Sequence, residues 1–216
     1  MYLPTHFHEK RLSVLHEAIE RSGLSTLVSL GPDGMDASHV PMLLDRGAGP
    51  LGTLRGHVAR ANPQWRSVTA DVAALAIFLG PDAYVTPSWY PTKRLTGRVV
   101  PTWNYVAIHA HGRARFFDDE ERLLALVTKL TEAREARRAR PWAVSDAPPD
   151  YIRSSLKAIV GFELPILKLE GKWKMSQNRT AEDRGGVASG LEEEGTPSAS
   201  AVAAMVRAAQ DGDERK

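Results

Sequence analysis

Apolar positions recur along this chain with two different spacings, and the spacings separate predicted strands from predicted helices. Short apolar or alternating runs between turn residues predict β-strands, whereas apolar residues every three to four positions predict amphipathic helices. The predicted strands span residues 24–30, 35–45, 51–58, 72–79, 99–118 and 159–173. The predicted helices span residues 6–22, 119–139 and 150–158, with a short helix within 59–68 and at most a small one at 199–209.

Two of the helices have start signals of their own. Thr5 is placed to cap helix 6–22, and Asp118 or Asp119 to cap helix 119–139, because such side chains accept a hydrogen bond from a free backbone N–H of the first turn. The apolar stripe of helix 119–139 consists of Leu123, Leu126, Val127 and Leu130.

Turns rather than crossover helices connect successive strands. GPDG (31–34) and RGAGP (46–50) are turn sequences. Pro41 predicts an edge or a bulge in its strand, because proline lacks the backbone donor of a sheet ladder. This order favours a mainly β protein, an antiparallel barrel with peripheral helices, over a doubly wound sheet.

The composition changes after Arg179. GGVASGLEEEGTPSAS is typical of a linker. Residues 180–216 contain eight acidic and four basic residues, a net charge of −4, so the rest of the chain has +6 of the total of +2. We predict a globular domain over residues 1–188 and an acidic, flexible tail over residues 189–216. A basic body suits an anionic ligand or DNA, although an ordinary surface explains this charge equally well.

Several classes of protein are excluded or disfavoured. The chain has no cysteine, which excludes disulfides, thiolate metal sites and cysteine nucleophiles and fits a reducing cytoplasm. No run of 18 apolar residues is present, so we expect a cytoplasmic protein without a membrane span. The nucleotide-binding and hydrolase motifs GxGxxG, GxxxxGK[ST] and GxSxG are absent. No residue stands out as catalytic, and whether the protein is an enzyme stays open.

The segment GPDAYVTPSWYPTKRLTGRVVPTWNY (80–105) has two tryptophans, three tyrosines and four prolines. Its rings suit a hydrophobic core and a dimer interface, where aromatic side chains are enriched. They also suit the walls of a site for a flat heterocyclic ligand. Ring content alone leaves both interpretations open.

Histidine and basic residues provide further candidates. His109 and His111 share one face of a strand, but no acidic residue is close in sequence, so we predict no metal site. A single histidine among His39, His57, His109 and His111 is an alternative haem ligand. TLRGHVARANPQW (53–65) is a candidate phosphate site because arginines adjoin a predicted helix start. EGKWKMSQNRTAEDR (170–184) suits a phosphate and a heterocycle edge, or a solvated strand end.

Taken together, five motifs in order resemble the PaiB-type family, the FMN-binding negative transcriptional regulators. The resemblance covers residues 1–188, and the tail lies outside it. The motifs are MYLPTHF, GHVARANPQW, GPDAYVTPSWY, VPTWNYVAIHAHG and IVGFELPILKLEGKWKMSQNR. The resemblance implies a split β-barrel of the pyridoxamine-phosphate-oxidase-like type, a homodimer and an FMN site at the subunit interface. The rings of residues 80–105 would then form a rigid rim where flavin and both subunits meet.

The resemblance also suggests which residues contact the cofactor. Relatives of this fold line the flavin with one strand and hold its phosphate on the next. The candidates implied in this way are His39, Val40, Pro41, Thr53, Leu54, Arg55, His57, Arg60, Asn104, Lys174, Ser176, Gln177 and Asn178. Where relatives present arginine and lysine to the phosphate, this chain has His39 and no nearby lysine. A repressor is the first functional hypothesis, with DNA as a further partner; a small FMN-dependent oxidoreductase and a haem-binding or haem-degrading barrel are the alternatives.

Overall fold

Eight β-strands form one antiparallel sheet in the computed structural model of the chain, which describes residues 1–32, 34–67 and 73–213. The strands are β1 (His8–Glu9), β2 (Leu24–Gly31), β3 (Gly34–Asp45), β4 (Thr53–Ala59), β5 (Ala73–Val85), β6 (Thr102–Arg113), β7 (Arg115–Phe117) and β8 (Ile159–Lys174). The order is β1-β8-β4-β3-β2-β5-β6, with β7 paired to β8, and a further pairing of β8 with β6 closes a ring. The predicted antiparallel barrel is confirmed.

Helices flank these strands. They are α1 (Leu12–Arg21), α2 (Gln64–Ser67), α3 (Thr92–Thr96), α4 (Glu120–Glu135), α5 (Pro149–Leu156), α6 (Ala181–Glu194) and α7 (Pro197–Asp213). In α4 the predicted cap is confirmed, since Asp119 accepts a hydrogen bond from the Arg122 N–H at 2.9 Å. The helix ends at Glu135 rather than at residue 139, and Val127 of the predicted stripe is only partly buried. Leu123, Leu126 and Leu130 are buried. No helix of the described ranges is both long and apolar enough to cross a membrane.

The predicted first helix begins too early. Residues Thr5–Phe7 form a 3₁₀ turn, and Thr5 caps no helix. His8 and Glu9 then pair with Lys172 and Gly171 of β8. Backbone pairing with a distant strand therefore overrides the local helical pattern, and α1 starts only at Leu12.

Pro41 marks a change of partner along β3. Residues 34–41 of β3 pair with β2, and residues 42–45 pair with β4. Because proline has no N–H to donate to a ladder, a position between two pairings suits it. At the other end of β3, its first residue Gly34 has φ 118°, a conformation that favours glycine.

The chain divides into two compact units. The first, called here the terminal unit, consists of residues 1–11, 79–108 and 170–216. The second, called the middle unit, consists of residues 12–78 and 109–169. Asp33, residues 68–72 and residues 214–216 lie outside the described residues; they include the first residue of predicted strand 72–79 and the end of the predicted tail.

Two packed helices occupy the region predicted to be a flexible tail. Thr180 caps α6, Gly195 ends it at φ 68°, and the predicted boundary at residue 188 falls inside this helix. The two helices contribute a core together with β5 and Tyr90. Its members on α6 and α7 are Val187, Ala188, Leu191, Ala199, Val202, Ala203 and Val206. The tail prediction is therefore wrong for the described part of residues 189–216.

Candidate functional site

The candidate residues fall into two groups, one in each unit. In the middle unit, His39, Val40 and Pro41 lie on β3, Thr53, Leu54, Arg55 and His57 lie on β4, and Arg60 follows β4. In the terminal unit, Asn104 lies on β6, Lys174 ends β8, and Ser176, Gln177 and Asn178 form the turn after it.

Arg55 is engaged by two carboxylates. Its Nη1 donates to Asp45 Oδ2, and its Nε donates to Glu163 Oε1 at 3.0 Å. Arg122 forms a second ion pair with Glu163 at 3.2 Å. The hydrogen bond from Arg55, opposed by partial burial, lowers the pKa of Asp45. A phosphate at Arg55 would therefore compete with two internal anions.

Arg60 connects segments of the middle unit. Its Nε donates to the Lys157 carbonyl at 2.7 Å and its Nη2 to the Ile159 carbonyl at 3.2 Å. Its Nη1 contacts Asp118 at 3.3 Å. These bonds fix the chain just before β8, so the structure gives Arg60 a structural role that the sequence does not predict.

Most of the other candidates on β3 and β4 are already packed or paired. Val40 and Leu54 are core side chains, 7% and 0% exposed. Thr53 is buried and donates to the Ala48 carbonyl at 2.8 Å. His39 is exposed and pairs through Nδ1 with Thr26 Oγ1 at 3.0 Å.

His57 is different because one of its ring nitrogens is unsatisfied. Its Nδ1 is buried and has no hydrogen-bond partner among the described residues. Burial lowers the pKa of His57, which favours the neutral ring. A buried polar atom without a partner is costly, and an ordered water is the usual partner of such a nitrogen.

The motif ARANPQW contributes residues that stabilise the middle unit. Asn62 donates to Ser38 Oγ at 2.7 Å and accepts from the Gln64 N–H at 2.9 Å. Gln64 is 1% exposed and donates to the Leu27 carbonyl and Ser29 Oγ. Neither amide is among the predicted contacts, and both side chains brace the start of α2.

In the terminal unit, Asn104 and Ser176 form a buried polar pair. Asn104 is 0% and Ser176 is 4% exposed. The amide donates to Ser176 Oγ at 3.0 Å, and the hydroxyl donates to Asn104 Oδ1 at 3.2 Å. Ser176 adopts φ 62°, a conformation that no other described non-glycine residue has. A residue kept in this region costs on the order of 1 kcal/mol, and such strain is common at functional sites.

Gln177 closes the turn after β8. Its Oε1 accepts from the Met175 N–H at 2.7 Å, and its Nε2 donates to the Trp173 carbonyl at 2.7 Å. The Arg179 N–H donates to the Ser176 carbonyl at 2.9 Å. Asn178 is exposed, and its side chain makes no hydrogen bond with a described residue. Hydrogen bonds of Gln177 and of the Arg179 N–H therefore hold the turn in place, whereas the Asn178 side chain is open to solvent.

Three cations gather at this turn; Lys172, Lys174 and Arg179 are called here the cation cluster. Lys174 Nζ donates to Thr102 Oγ1 and, at 2.6 Å, to the Trp103 carbonyl. Lys172 is 8% exposed and donates to the Tyr2 carbonyl at 3.2 Å. The Arg179 guanidinium lies 4.9 Å from the centre of the Tyr90 ring.

The cation cluster has no internal counter-charge. Within the described ranges, none of its members forms an ion pair with a carboxylate. Burial, and then the charges of Lys172 and Arg179, lower the pKa of Lys174. Charges withdrawn from water are normally paired, so this arrangement is prepared for an anion. Lys172 and Arg179 lie in the segment 170–184 that the sequence indicated for a phosphate, although only Lys174 of the three is among the contacts implied by the family resemblance. The alternation of Lys172 and Lys174 on one strand gives these two side chains a common face.

The rings of residues 80–105 divide into two sets. Trp89 and Tyr90 pack in the core of the terminal unit, and a Cβ at Gly186 or Gly190 would collide with Trp89. Tyr84 and Trp103 are 46% and 52% exposed, with ring centres 5.9 Å apart. A cavity of about 330 Å³ adjoins Trp103 and is lined by Leu79, Gly80, Asp82, Tyr105 and Val106. Of these rings, Tyr84 and Trp103 are the ones exposed enough to contact a ligand or a second subunit, and the predicted rim stays a prediction for them.

Comparison with known proteins identifies the family. The sequence profile described as "Putative FMN-binding domain" matches residues 1–168. The chain belongs to this FMN-binding domain family. A Bacillus subtilis relative, the protease synthase and sporulation protein PAI 2, is 31% identical over 206 residues, covering 95% of this chain and 96% of the relative. An uncharacterized protein of Emericella nidulans, AN0679, is 36% identical over 242 residues, covering 96% of each. The PaiB-type resemblance is confirmed.

Two solved structures share the fold of this chain. The conserved hypothetical protein Rv2991 of Mycobacterium tuberculosis superposes with a TM-score of 0.57 at 11% identity, covering 83% of this chain and 94% of the other. The FAD and heme binding protein of Mycobacterium smegmatis superposes with a TM-score of 0.52 at 14% identity, covering 76% and 71%. The chain thus has the FMN-binding split-barrel fold.

The side chains present fit the chemical needs of FMN. The dianionic phosphate needs cations that are not already paired, and the cation cluster provides them. The isoalloxazine needs flat apolar walls, and the cavity beside Trp103 and Tyr105 provides them. Its polar edge needs hydrogen-bonding groups, and the exposed amide of Asn178 is one such group.

Proposed function

We propose that this protein is an FMN-binding homodimer that regulates transcription, with the flavin phosphate at the cation cluster of the terminal unit. The observation that carries the proposal is the absence of any ion pair between Lys172, Lys174 or Arg179 and a described carboxylate. FMN, when bound, supplies electron-transfer chemistry that the side chains themselves lack. The chain's own residues bind and orient it.

The cluster suits a phosphate better than a neutral group. Lys174 is fixed by two acceptors, so little side-chain entropy remains to be lost when an anion binds. Arg179 lies over the Tyr90 ring at 4.9 Å and forms no ion pair with a described carboxylate, so its charge is available to a ligand. Two positive charges on a rigid turn thus match the charge of the phosphate at neutral pH.

The test compares FMN with riboflavin, which has the same ring system and no phosphate. Following flavin fluorescence, we expect one FMN per chain and at least about tenfold weaker riboflavin binding, as charge-assisted hydrogen bonds imply. Arg179→Leu should reduce the difference between the FMN and riboflavin affinities, because it removes one positive charge from the cation cluster. The variant should still fold, since Arg179 forms no ion pair with a described carboxylate. Arg94→Leu, at an exposed arginine of the same unit, is the matched control.

Two results would count against the proposal. Equal affinities for FMN and riboflavin would show that the phosphate is not bound by the cluster. Absence of saturable quenching up to about 50 µM FMN, well beyond the affinity of a resident cofactor, would remove FMN as the ligand.

We further propose that the face around Tyr84 and Trp103 contacts a second copy of the chain. Both rings are about half exposed, and Leu79 beside the cavity is 68% exposed. Exposed apolar patches of this kind are typical of interfaces. Sedimentation velocity should find a dimer that Trp103→Glu dissociates. Trp142→Glu, at a tryptophan 47% exposed in the middle unit, should leave it intact.

Regulation of transcription rests on the PaiB-type resemblance and on the sporulation role in the name of the Bacillus subtilis relative. At the end of α4, Arg137 and Arg140 form no ion pair with a described carboxylate and are candidates for DNA phosphates. Gel shifts with selected genomic fragments, with and without FMN, test this role. A complex that vanishes at modest salt for every fragment would indicate only nonspecific contact.

Haem is the second candidate ligand. The Mycobacterium smegmatis protein that shares the fold is described as binding heme as well as FAD. In this chain, His57 has a buried nitrogen without a partner. A Soret band that appears on haem addition and is lost in His57→Ala would support haem, whereas flavin bands alone would favour FMN.

A further inference from the structure

A separate cavity of about 570 Å³ lies in the middle unit, between α4, α5 and the segment that joins them. Its volume is in the range typical of small-molecule sites. None of the candidate flavin residues lines it. The lining side chains that are apolar are Leu124, Ala143, Val144, Ala147, Pro149, Ile152 and Leu156.

The cavity is lined by residues of α4 that lie outside the buried apolar stripe of this helix. Leu123, Leu126 and Leu130 are buried and form the apolar stripe of the helix. Leu124, by contrast, lines the cavity and is 40% exposed. An apolar side chain is left open to solvent there, and its burial by a ligand would be favourable.

Two hydroxyls on the wall have no protein partner. Thr128 and Thr131 both line the cavity, and neither side chain hydrogen-bonds to a residue of the described ranges. Helical threonines often bond to a carbonyl of the preceding turn, as Thr96 does to Thr92 at 3.3 Å. The free hydroxyls can therefore pair with a polar group of a ligand.

The charges around the cavity favour a neutral ligand. Glu120 and Glu132 outnumber Arg153 in the lining, which disfavours an anion. The seven apolar side chains disfavour a charged group of either sign, because they offer it no compensating partner. We infer that the α4–α5 cavity binds an uncharged, mainly apolar small molecule, of one or two rings, through a hydroxyl or carbonyl group that pairs with Thr128 and Thr131. None of the residues of the proposed flavin site lines this second site.

The test uses 2-naphthol, a neutral two-ring alcohol, as the probe. Isothermal titration should show saturable binding of one molecule per chain, and binding to the folded state should raise the melting temperature. Thr128→Trp fills the cavity and should weaken binding at least about tenfold, since overpacked sites reject extra atoms. Glu121→Trp, an exposed position of the same helix outside the cavity, should bind like the parent.

Two further comparisons keep the inference falsifiable if Thr128→Trp does not fold. The double variant Thr128→Val, Thr131→Val keeps the volume and should weaken 2-naphthol binding roughly two- to tenfold, the effect of a lost hydrogen bond. The anion 2-naphthoate should bind more weakly than 2-naphthol. Unchanged affinity in the double variant, or equal binding of the naphthoate, would overturn the assigned ligand class. No saturable binding of 2-naphthol would overturn the site.

Discussion

Arg55 and Lys174 are both basic side chains on barrel strands, and both are candidate phosphate contacts, yet their surroundings are opposite. Arg55 in the middle unit lies between the carboxylates of Asp45 and Glu163. Among the described residues, Lys174 in the terminal unit donates to neutral acceptors and pairs with no carboxylate, and the charges that lower its pKa are those of Lys172 and Arg179. The first charge is already used by the fold, and the second is available to a ligand. The neighbouring charges, rather than the residue type, decide which cation stabilises the fold and which is available to bind a ligand.

From this comparison we expect substitution of Lys174 to have the largest effect on FMN affinity. Lys174→Met keeps the alkyl chain and removes the charge, so FMN binding should weaken roughly ten- to hundredfold, about 1.5–3 kcal/mol for a hydrogen bond to a charged group. Riboflavin binding should change little. Stability without flavin should stay equal or rise, because a half-buried charge without a counter-ion is removed.

Fluorescence titration measures both affinities, and urea denaturation measures the stability. Lys157→Met, at an exposed lysine of the middle unit, is the control and should behave like the parent. If Lys174→Met weakened FMN and riboflavin equally, Lys174 would act on the ring or the fold rather than on the phosphate.

The opposite pattern is expected at Arg55. Arg55→Met leaves Asp45 and Glu163 without the cation they share, and the free energy of unfolding should fall by about 1–2 kcal/mol. This is less than a fully buried pair loses, because these side chains are partly exposed. FMN affinity should not change. Adding Asp45→Asn should restore part of the stability in urea denaturation; a loss of FMN affinity in Arg55→Met would contradict the comparison.

Local patterns predicted the sheet and α4 because the apolar stripe, the turn residues and the cap of each element lie close together in sequence. They failed for α6 and α7, where GGVASG is typical of a linker. Gly186 and Gly190 in this segment instead let α6 approach Trp89, a contact that no local pattern shows. The glycine-rich composition of this segment is therefore explained by close packing between distant residues rather than by a flexible linker.

For the candidate site, sequence reasoning found residue types better than partners. Asn104 and Ser176 are 72 residues apart, and Arg55 is 108 residues from Glu163. The motifs placed Asn104, Ser176 and Arg55 near the flavin, but only the fold shows that each is paired inside the protein. The cation cluster needed the structure, because the absence of a carboxylate is a property of three-dimensional surroundings.

A smaller effect tests the turn that presents the cluster. At Ser176, φ 62° favours glycine, whereas the hydroxyl satisfies the buried Asn104 amide. Ser176→Ala loses the hydroxyl and keeps the strain, so it should be less stable than Ser176→Gly by roughly 1 kcal/mol. Thermal denaturation of both variants measures the difference. In helix α5 the exposed Ser154 should show the reverse order, because glycine disfavours helices; the same order at both positions would exclude strain at Ser176 as the cause.

The smallest effect concerns pH. Burial and neighbouring cations lower the pKa of Lys174 below its usual 10.5. The unfolded chain therefore binds this proton more tightly, so the cost to stability is present at neutral pH and is relieved as pH rises through the lowered pKa. Phosphate binding favours the charged amine and needs the opposite condition.

The ratio of FMN to riboflavin affinity should consequently fall as pH rises through the lowered pKa, at a lower pH than an ordinary lysine would allow. Ionisation of the ring cancels in this ratio, since both ligands share it, and the phosphate is already a dianion above about pH 7. Lys174→Met should flatten the profile. A ratio that stays constant up to the usual lysine range in the parent, or that falls equally in Lys174→Met, would show that Lys174 does not titrate against the phosphate. Arg179 would then be the main contact of the phosphate.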